Sequence, residues 1–277
     1  PRHTFDDSLA LQRDYVSVLA REALARMPAS VEDDAAEPLA WLKAWDHDMR
    51  PGSGEALLFV QWFYSDLPPL IAASLAPEAA ADLKPLDSLT ILEAMQYPLG
   101  QEAALTALAS AWEAVRSAHG TDTSQWKWGD VHRIRFAHPL AGRAPAELAR
   151  QMALPDYPRG GTTNTVNNTT FGDTNFDVTS GASFRMVLDV GNWDAARMTN
   201  APGQSGDPRS PFYGNLLEGW ATEGSFPMVY SEDAVRANAV QVIRVVPIEA
   251  VEGEWWGAGG GGLVFLVQVK MVFGFAL

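Results

Sequence analysis

Cysteine is absent from all 277 residues, which excludes disulfides, thiolate metal sites and cysteine nucleophiles. Its absence leaves the compartment open, because an exported protein needs no disulfide. Basic charge is also scarce. Against 34 acidic side chains stand 20 basic ones, a net charge of −14, and such a surface repels phosphate backbones and anionic lipid. Nucleic acid is therefore not expected as a partner. No charged segment followed by an apolar stretch opens the chain at Pro1, so no secretory signal is visible, and the chain reads as cut from something longer.

Motifs that carry chemistry are equally sparse. None of the five histidines has the i, i+4 spacing of a zinc helix. His132 and His138 lie six apart and, in an extended segment, would share a face with Asp130. That His/His/Asp site competes with a plainer reading, hydrogen-bonded structural histidines beside a turn. The acidic pairs Asp6/Asp7, Asp33/Asp34, Asp46/Asp48 and Glu232/Asp233 form no DxDxDG calcium loop and read as caps and solvated charge. Gly160-Gly161 and the Gly203 to Gly206 stretch lack the GxxxxGK[ST] phosphate loop. Ser205, in GQSGDP, lacks the spacing of a GxSxG nucleophile elbow and reads as a turn residue. The secondary amine of Pro1 would serve as a base only if the natural chain began there.

What is present is a globular composition: 47% hydrophobic, 10% aromatic and only 19% charged residues. Helical spacing over Thr4 to Met27 predicts one long amphipathic helix, with Thr4 and Asp7 placed as N-cap and N3 partner. Trp41, Trp45 and the apolar run from Ala56 to Leu67 belong in a helical core, and Gln101 to His119 predicts a helix closed by Gly120. After Thr121 the texture changes to short β-type runs, including TTNTVNNTTF and SFRMVLDV, separated by Gly, Pro and Asn. Helices followed by strands predict an α+β fold. The expected regions are a helical 1–120, a β-rich 121–247 belonging to the same fold, and 248–277. That last region is a joint at Gly259 to Gly262 and an apolar tail, which is a pairing strand, a membrane anchor or foreign sequence, with the strand preferred and a membrane not expected.

The strings WKWGDVHRIRFAHPL (126–140), DYPRGGTTNTVNN (156–168), the stretch from Ser180 to Trp220 and AVQVIRVVP (239–247) occur in an order that resembles the C-terminal part of penicillin acylase family β subunits. The opening TFDDSLALQRDYVSVLARE does so too, whereas the sequence beyond Pro247 does not. The resemblance implies the C-terminal portion of a four-layer αββα sandwich of N-terminal-nucleophile hydrolases. In that family a newly exposed Ser attacks an amide carbonyl with its own α-amine as base, and an Asn side chain and backbone N–H groups hold the oxyanion.

Carried over residue by residue, the resemblance assigns no catalytic residue here: the nucleophilic Ser, the oxyanion Asn and the calcium-binding carboxylates precede the matched segment. Pro1 has no hydroxyl to replace the Ser. Gly160, Gly161, Gly203, Ser205, Gly206 and Tyr213 are expected in turns and loops, with Ser183 and Arg185 tying strands to loops. Where the family commonly reads SPHY followed by acidic residues, this chain has Ser210-Pro211-Phe212-Tyr213-Gly214-Asn215. The implied partners are the remaining acylase chain or chains carrying the Ser, and a small-molecule acyl-amide such as a β-lactam or an acyl-homoserine lactone. No cofactor is assigned to this chain, although calcium is possible in the complete enzyme, and a periplasmic or secreted location is implied. The expectation is a scaffold portion inactive by itself. The competing expectation is a non-catalytic binding module, its aromatic, acidic or tail surface holding a partner.

Overall fold

The computed structural model describes residues 2–78, 80, 86–172 and 175–239. Contacts divide the chain into two units, Pro1–Ser183 with Asn200–Glu223, and Phe184–Thr199 with the residues from Gly224 onward.

The first unit begins with α1 (Phe5–Leu11), where the Thr4 hydroxyl accepts from Asp7 N–H while the Asp7 carboxylate accepts from Thr4 N–H. The single helix expected over Thr4 to Met27 is corrected to two, α1 and α2 (Val18–Arg26). The break has a physical cause. Asp14 takes the Val16 N–H in its carboxylate, and the extended segment then pairs with a distant one: Ser17 N–H donates to His47 O at 2.9 Å and Met49 N–H to Tyr15 O at 3.1 Å. Ser17 restarts the helix by capping Ala20 N–H. At the far end, Lys43 Nζ donates to the carbonyls of Leu24 and Met27, and burial lowers its pKa.

The core forms where α3 (Ala36–Lys43), α4 (Gly54–Val60), α5 (Leu67–Leu75), α6 (Ser88–Ala94) and α7 (Pro98–His119) pack. A π-helical stretch, Gln61–Asp66, joins α4 to α5 into one rod whose Phe59, Trp62, Phe63 and Ile71 are wholly buried. The rod is long and apolar enough to cross a membrane by length and composition, yet over half of it is buried within the protein. Small residues on α7, among them Ala104, Ala107 and Ala111, let the rod approach closely, and Trp62 Nε1–H donates to Ala104 O. Trp41, Trp112 and Trp126 meet edge to face with centroids 5.0–5.6 Å apart. Gly120, at φ 84°, ends α7 as its sequence position predicts.

Strands follow the helices, as the α+β expectation requires. In the first unit, β1 (Arg133–Ile134), β2 (Tyr157–Pro158), β3 (Thr169–Phe171) and β4 (Val178–Gly181) form a sheet of order β2-β1-β4-β3. The helical turn α8 (Trp128–Val131) precedes it, α9 (Ala146–Met152) lies between β1 and β2, and α10 (Leu217–Ala221) packs Trp220 and Leu217 with Ile134 and Val178. In the second unit, β5 (Arg185–Val187), β6 (Arg197–Thr199) and β7 (Phe226–Pro227) form an antiparallel sheet, followed by α11 (Glu232–Ala237). Of the threonine-rich run expected to be β-type, 169–171 is strand, and residues before it form a turn held by Thr162 and Thr165. The segment 240–247 and the tail 248–277 lie outside the described residues.

The tightest seam is between α6 and α7, where a Cβ on Gly100 would sit 2.0 Å from Ala94 O. Gly100→Ala is expected to destabilise the chain by about 1–3 kcal/mol, whereas Gly52→Ala, which meets nothing within 4 Å, stays near wild type. Urea unfolding midpoints of the two variants test this.

Candidate functional site

Buried polar side chains converge where β2 runs into the Gly160-Gly161 turn. Arg159 follows β2 directly and is fixed by its own N–H donating to His132 O at 2.8 Å. Its side chain is 0% exposed. Nη1 donates to the carbonyls of Trp220 at 3.2 Å and Ala221 at 2.8 Å, the last residues of α10, and pairs with Glu223 Oε1 at 2.5 Å. A cation at a helix C-terminus meets acceptors and a favourable dipole together. Nε and Nη2 are buried and have no hydrogen-bond partner among the described residues, and the guanidinium lies 4.2 Å over the Trp220 ring, whose π face offsets part of that cost.

Glu223 is held at φ 63°, a left-handed conformation unfavourable for a residue with a side chain. Its carboxylate takes Arg159 Nη1, the Tyr15 hydroxyl and, at 2.8 Å, Asn167 Nδ2. One ion pair, buried at Arg159 and partly exposed at Glu223, thereby joins the segment after α1, the loop after β2 and the end of α10. Chain crowding reinforces it: Gly161 N–H donates to Met49 O, and a Cβ on Gly160 would lie 2.7 Å from that oxygen and 2.9 Å from the Tyr15 ring. Gly161 has φ 83°.

His132 adjoins this cluster. The ring stacks on Trp128 at 4.4 Å, with Nδ1 2.7 Å from Phe176 O and Nε2 2.9 Å from Thr169 Oγ1. Burial pushes its pKa down to about 4, with the Arg159 charge acting in the same direction. The neutral ring donates from Nδ1–H to Phe176 O. The single Thr169 hydroxyl proton then serves either Nε2 or Gly160 O, 2.8 Å away. Enclosed in this way, the imidazole braces α8 against β3 and is closed to substrate.

The His/His/Asp alternative finds no support in this geometry. His132 is buried, Asp130 is exposed on α8, and His138 lies elsewhere, with Nδ1 accepting from Leu140 N–H and Nε2 3.2 Å from Gly206 O. Among the described residues no three His, Cys, Asp or Glu side chains are arranged to hold a metal ion. The described residues thus show no fit to the calcium ion that the resemblance allows in the complete enzyme. The acidic pairs serve their own neighbourhoods: Asp33 accepts from Ala35 N–H, Asp46 and Asp48 both pair with Arg50, and Glu232 pairs with Arg236.

The other expected turn residues are dispersed. Ser205 lies in a turn, accepting from Asp207 N–H and donating its own N–H to Phe212 O. A Cβ on Gly203 would sit 2.3 Å from Phe212 O, whereas Gly206 has open space around it. Tyr213 donates its hydroxyl to Met152 O at 2.6 Å. Ser183 is exposed at the end of the first unit, and Arg185 is buried on β5, paired across the sheet with Thr199. Sequence reasoning passed over Arg159, Glu223, Asn167 and Tyr15. One signal was available for Arg159: an arginine directly before a Gly-Gly turn, in a string otherwise matched to the family.

The Penicillin amidase family model matches residues 1–237, so the chain belongs to that family. It is 40% identical over 121 residues to penicillin acylase 2 proenzyme of Pseudomonas sp. (strain SE83), a match covering 43% of this chain and 16% of that protein. To the acyl-homoserine lactone acylase QuiP of Pseudomonas putida it is 30% identical over 286 aligned positions, covering 89% of this chain and 35% of the relative. The chain therefore spans a minor part of the length of these curated relatives. Among solved structures, a thermostable penicillin G acylase from Alcaligenes faecalis matches with TM-score 0.45 and 19% identity over 87% of this chain and 48% of that one.

Removing Glu223 leaves the Arg159 charge buried without its counter-ion, whereas removing Arg159 leaves a carboxylate that is 20% exposed and still held by Tyr15 and Asn167. Glu223→Gln is expected to cost about 3–5 kcal/mol and Arg159→Met less, with the double variant below the sum of the two. A double-mutant cycle in guanidinium reads this directly. The His132 shift predicts a pH dependence: the unfolded chain takes up a proton below its ordinary pKa of 6.5 that the folded chain accepts only near 4. Stability should fall as pH drops from 6.5 towards 4, by on the order of 3 kcal/mol, and level off below. Urea midpoints for wild type and His132→Phe across that range should converge as the pH falls.

Proposed function

We propose that this chain is a scaffold portion of a penicillin-acylase-type amidohydrolase, an enzyme cleaving the amide between an acyl group and an amine-bearing core such as a β-lactam nucleus or homoserine lactone. Family membership supports the reaction class, and the printed names of the relatives, penicillin acylase and acyl-homoserine lactone acylase, support the choice of substrates. The observation that carries the scaffold role is the engagement of the buried polar groups. Arg159, Glu223, Asn167, His132 and Thr169 bind one another and backbone carbonyls and offer no nucleophile with an adjacent base.

In this reading the nucleophilic Ser and its α-amine come from other residues of the enzyme, which also supply the oxyanion hole and any calcium ion. This portion holds the surrounding sheets, which would form part of an αββα sandwich in the complete enzyme. The test is an assay of the purified 277-residue chain with a chromogenic acyl-amide and an acyl-homoserine lactone. No turnover above a heat-killed control is expected, and activity should arise on adding the nucleophile-bearing remainder. Turnover by the chain alone would contradict the scaffold role. A folded monomer that neither binds the remainder nor gains activity would favour a separate binding module.

A further inference from the structure

The rod through the core repeats its apolar residues at a spacing that a regular α-helix does not keep on one face. Phe59, Phe63, Leu67 and Ile71 lie four apart and all are wholly buried, while Ser65, Pro69 and Ala73, also four apart, are exposed. Over that length a regular α-helix would carry Ile71 about 120° round from Phe59. The π-helical stretch Gln61–Asp66 takes up the difference. Leu67 N–H donates to Trp62 O, five residues back, and Gln61 Nε2 donates to Asp66 Oδ1 at 2.7 Å across the same spacing. Pro68 and Pro69 follow at once and, having no N–H, cannot make the bonds that would hold Tyr64 and Ser65 in α-helical register.

Burial of the row alone does not require this. With one residue fewer, the same side chains would be spaced four, three and four, and an α-helix keeps such a row aligned to within about 20°. What the extra residue changes is Tyr64. In an α-helix a residue five positions on is turned about 140° away, and only neighbours three and four apart meet. Here the Phe59 ring meets Phe63 at 5.4 Å and Tyr64 at 6.3 Å. So turned, Tyr64 sets its ring edge to face with Phe171 of β3 at 5.4 Å, and its hydroxyl accepts from Asn164 Nδ2 at 2.9 Å. Burial raises the phenol's pKa, against hydrogen bonds with the Asn164, Thr162 and Ser88 side chains that lower it, so the group stays neutral. We propose that the π-helical stretch is a register device, a role independent of the reaction proposed above. It keeps the row buried while turning Tyr64 to tie the helical core to the turn 162–165, which directly follows the Gly160-Gly161 pair.

Amide hydrogen exchange on the full 277-residue chain tests this with two variants. Tyr64→Phe removes only the hydroxyl. Exchange at Thr162, Thr165 and Thr169, whose N–H groups bond within the turn, should rise at least about tenfold, while the Gly54–Leu75 rod stays as protected as in wild type. Deleting Ser65 together with Pro68→Ala and Pro69→Ala permits an unbroken α-helix. That chain should keep the rod protected and loosen the turn as Tyr64→Phe does. Any of three results would overturn the device. If Tyr64→Phe leaves the turn unchanged, the hydroxyl does not hold it. If the deletion chain keeps a protected turn, Tyr64 reaches it without the π-helical stretch. If the deletion chain loses protection along the rod, the extra residue serves burial of the row instead.

Discussion

The first unit depends on a buried charge that has one place to go. Once Arg159 is removed from water, its guanidinium requires acceptors and a counter-ion, and the chain supplies them from segments remote in sequence: the end of α10 and Glu223. Glu223 in turn draws in Tyr15 and Asn167. Buried ion pairs add little net stability over apolar residues of the same volume, but breaking one is costly. The consequence is specificity of arrangement. Alternative placements of the N-terminal segment or of α10 would strand a charge, and the left-handed backbone at Glu223 is tolerated because its carboxylate is so fully engaged.

Among the described residues around Arg159, the polar groups are taken up by one another and by backbone carbonyls. Catalytic groups need access and a matched pKa, whereas His132 is enclosed, kept neutral and packed between Phe176 O and Thr169. The same residues that would draw attention in a search for chemistry serve to close the loop after β2 against Tyr15 and Met49.

Much of the helical half was legible because its determinants are local. Thr4 and Asp7 sit three apart, Gly120 follows directly on the last turn of α7, and the apolar density of the rod declares its burial. The interruption between α1 and α2 was not legible, since Tyr15 and Ser17 obey pairing with residues 47–49 and not their own helical spacing. The family was readable from ordered strings, whereas the ion pair joins residues 64 apart and leaves no periodic trace. The run SFRMVLDV read as β-type and 185–187 of it is strand, but the burial of Arg185 within it left no trace in the sequence.

The central claim is that the Arg159–Glu223 pair holds three separate segments as one structure. Amide hydrogen exchange on the Arg159→Met chain tests it most directly. The account predicts that residues 14–17, 47–49, 158–169 and 220–223 lose protection together, while the α4 to α7 core keeps much more of its own. Unchanged protection across those segments, or loss confined to the loop after β2, would contradict it.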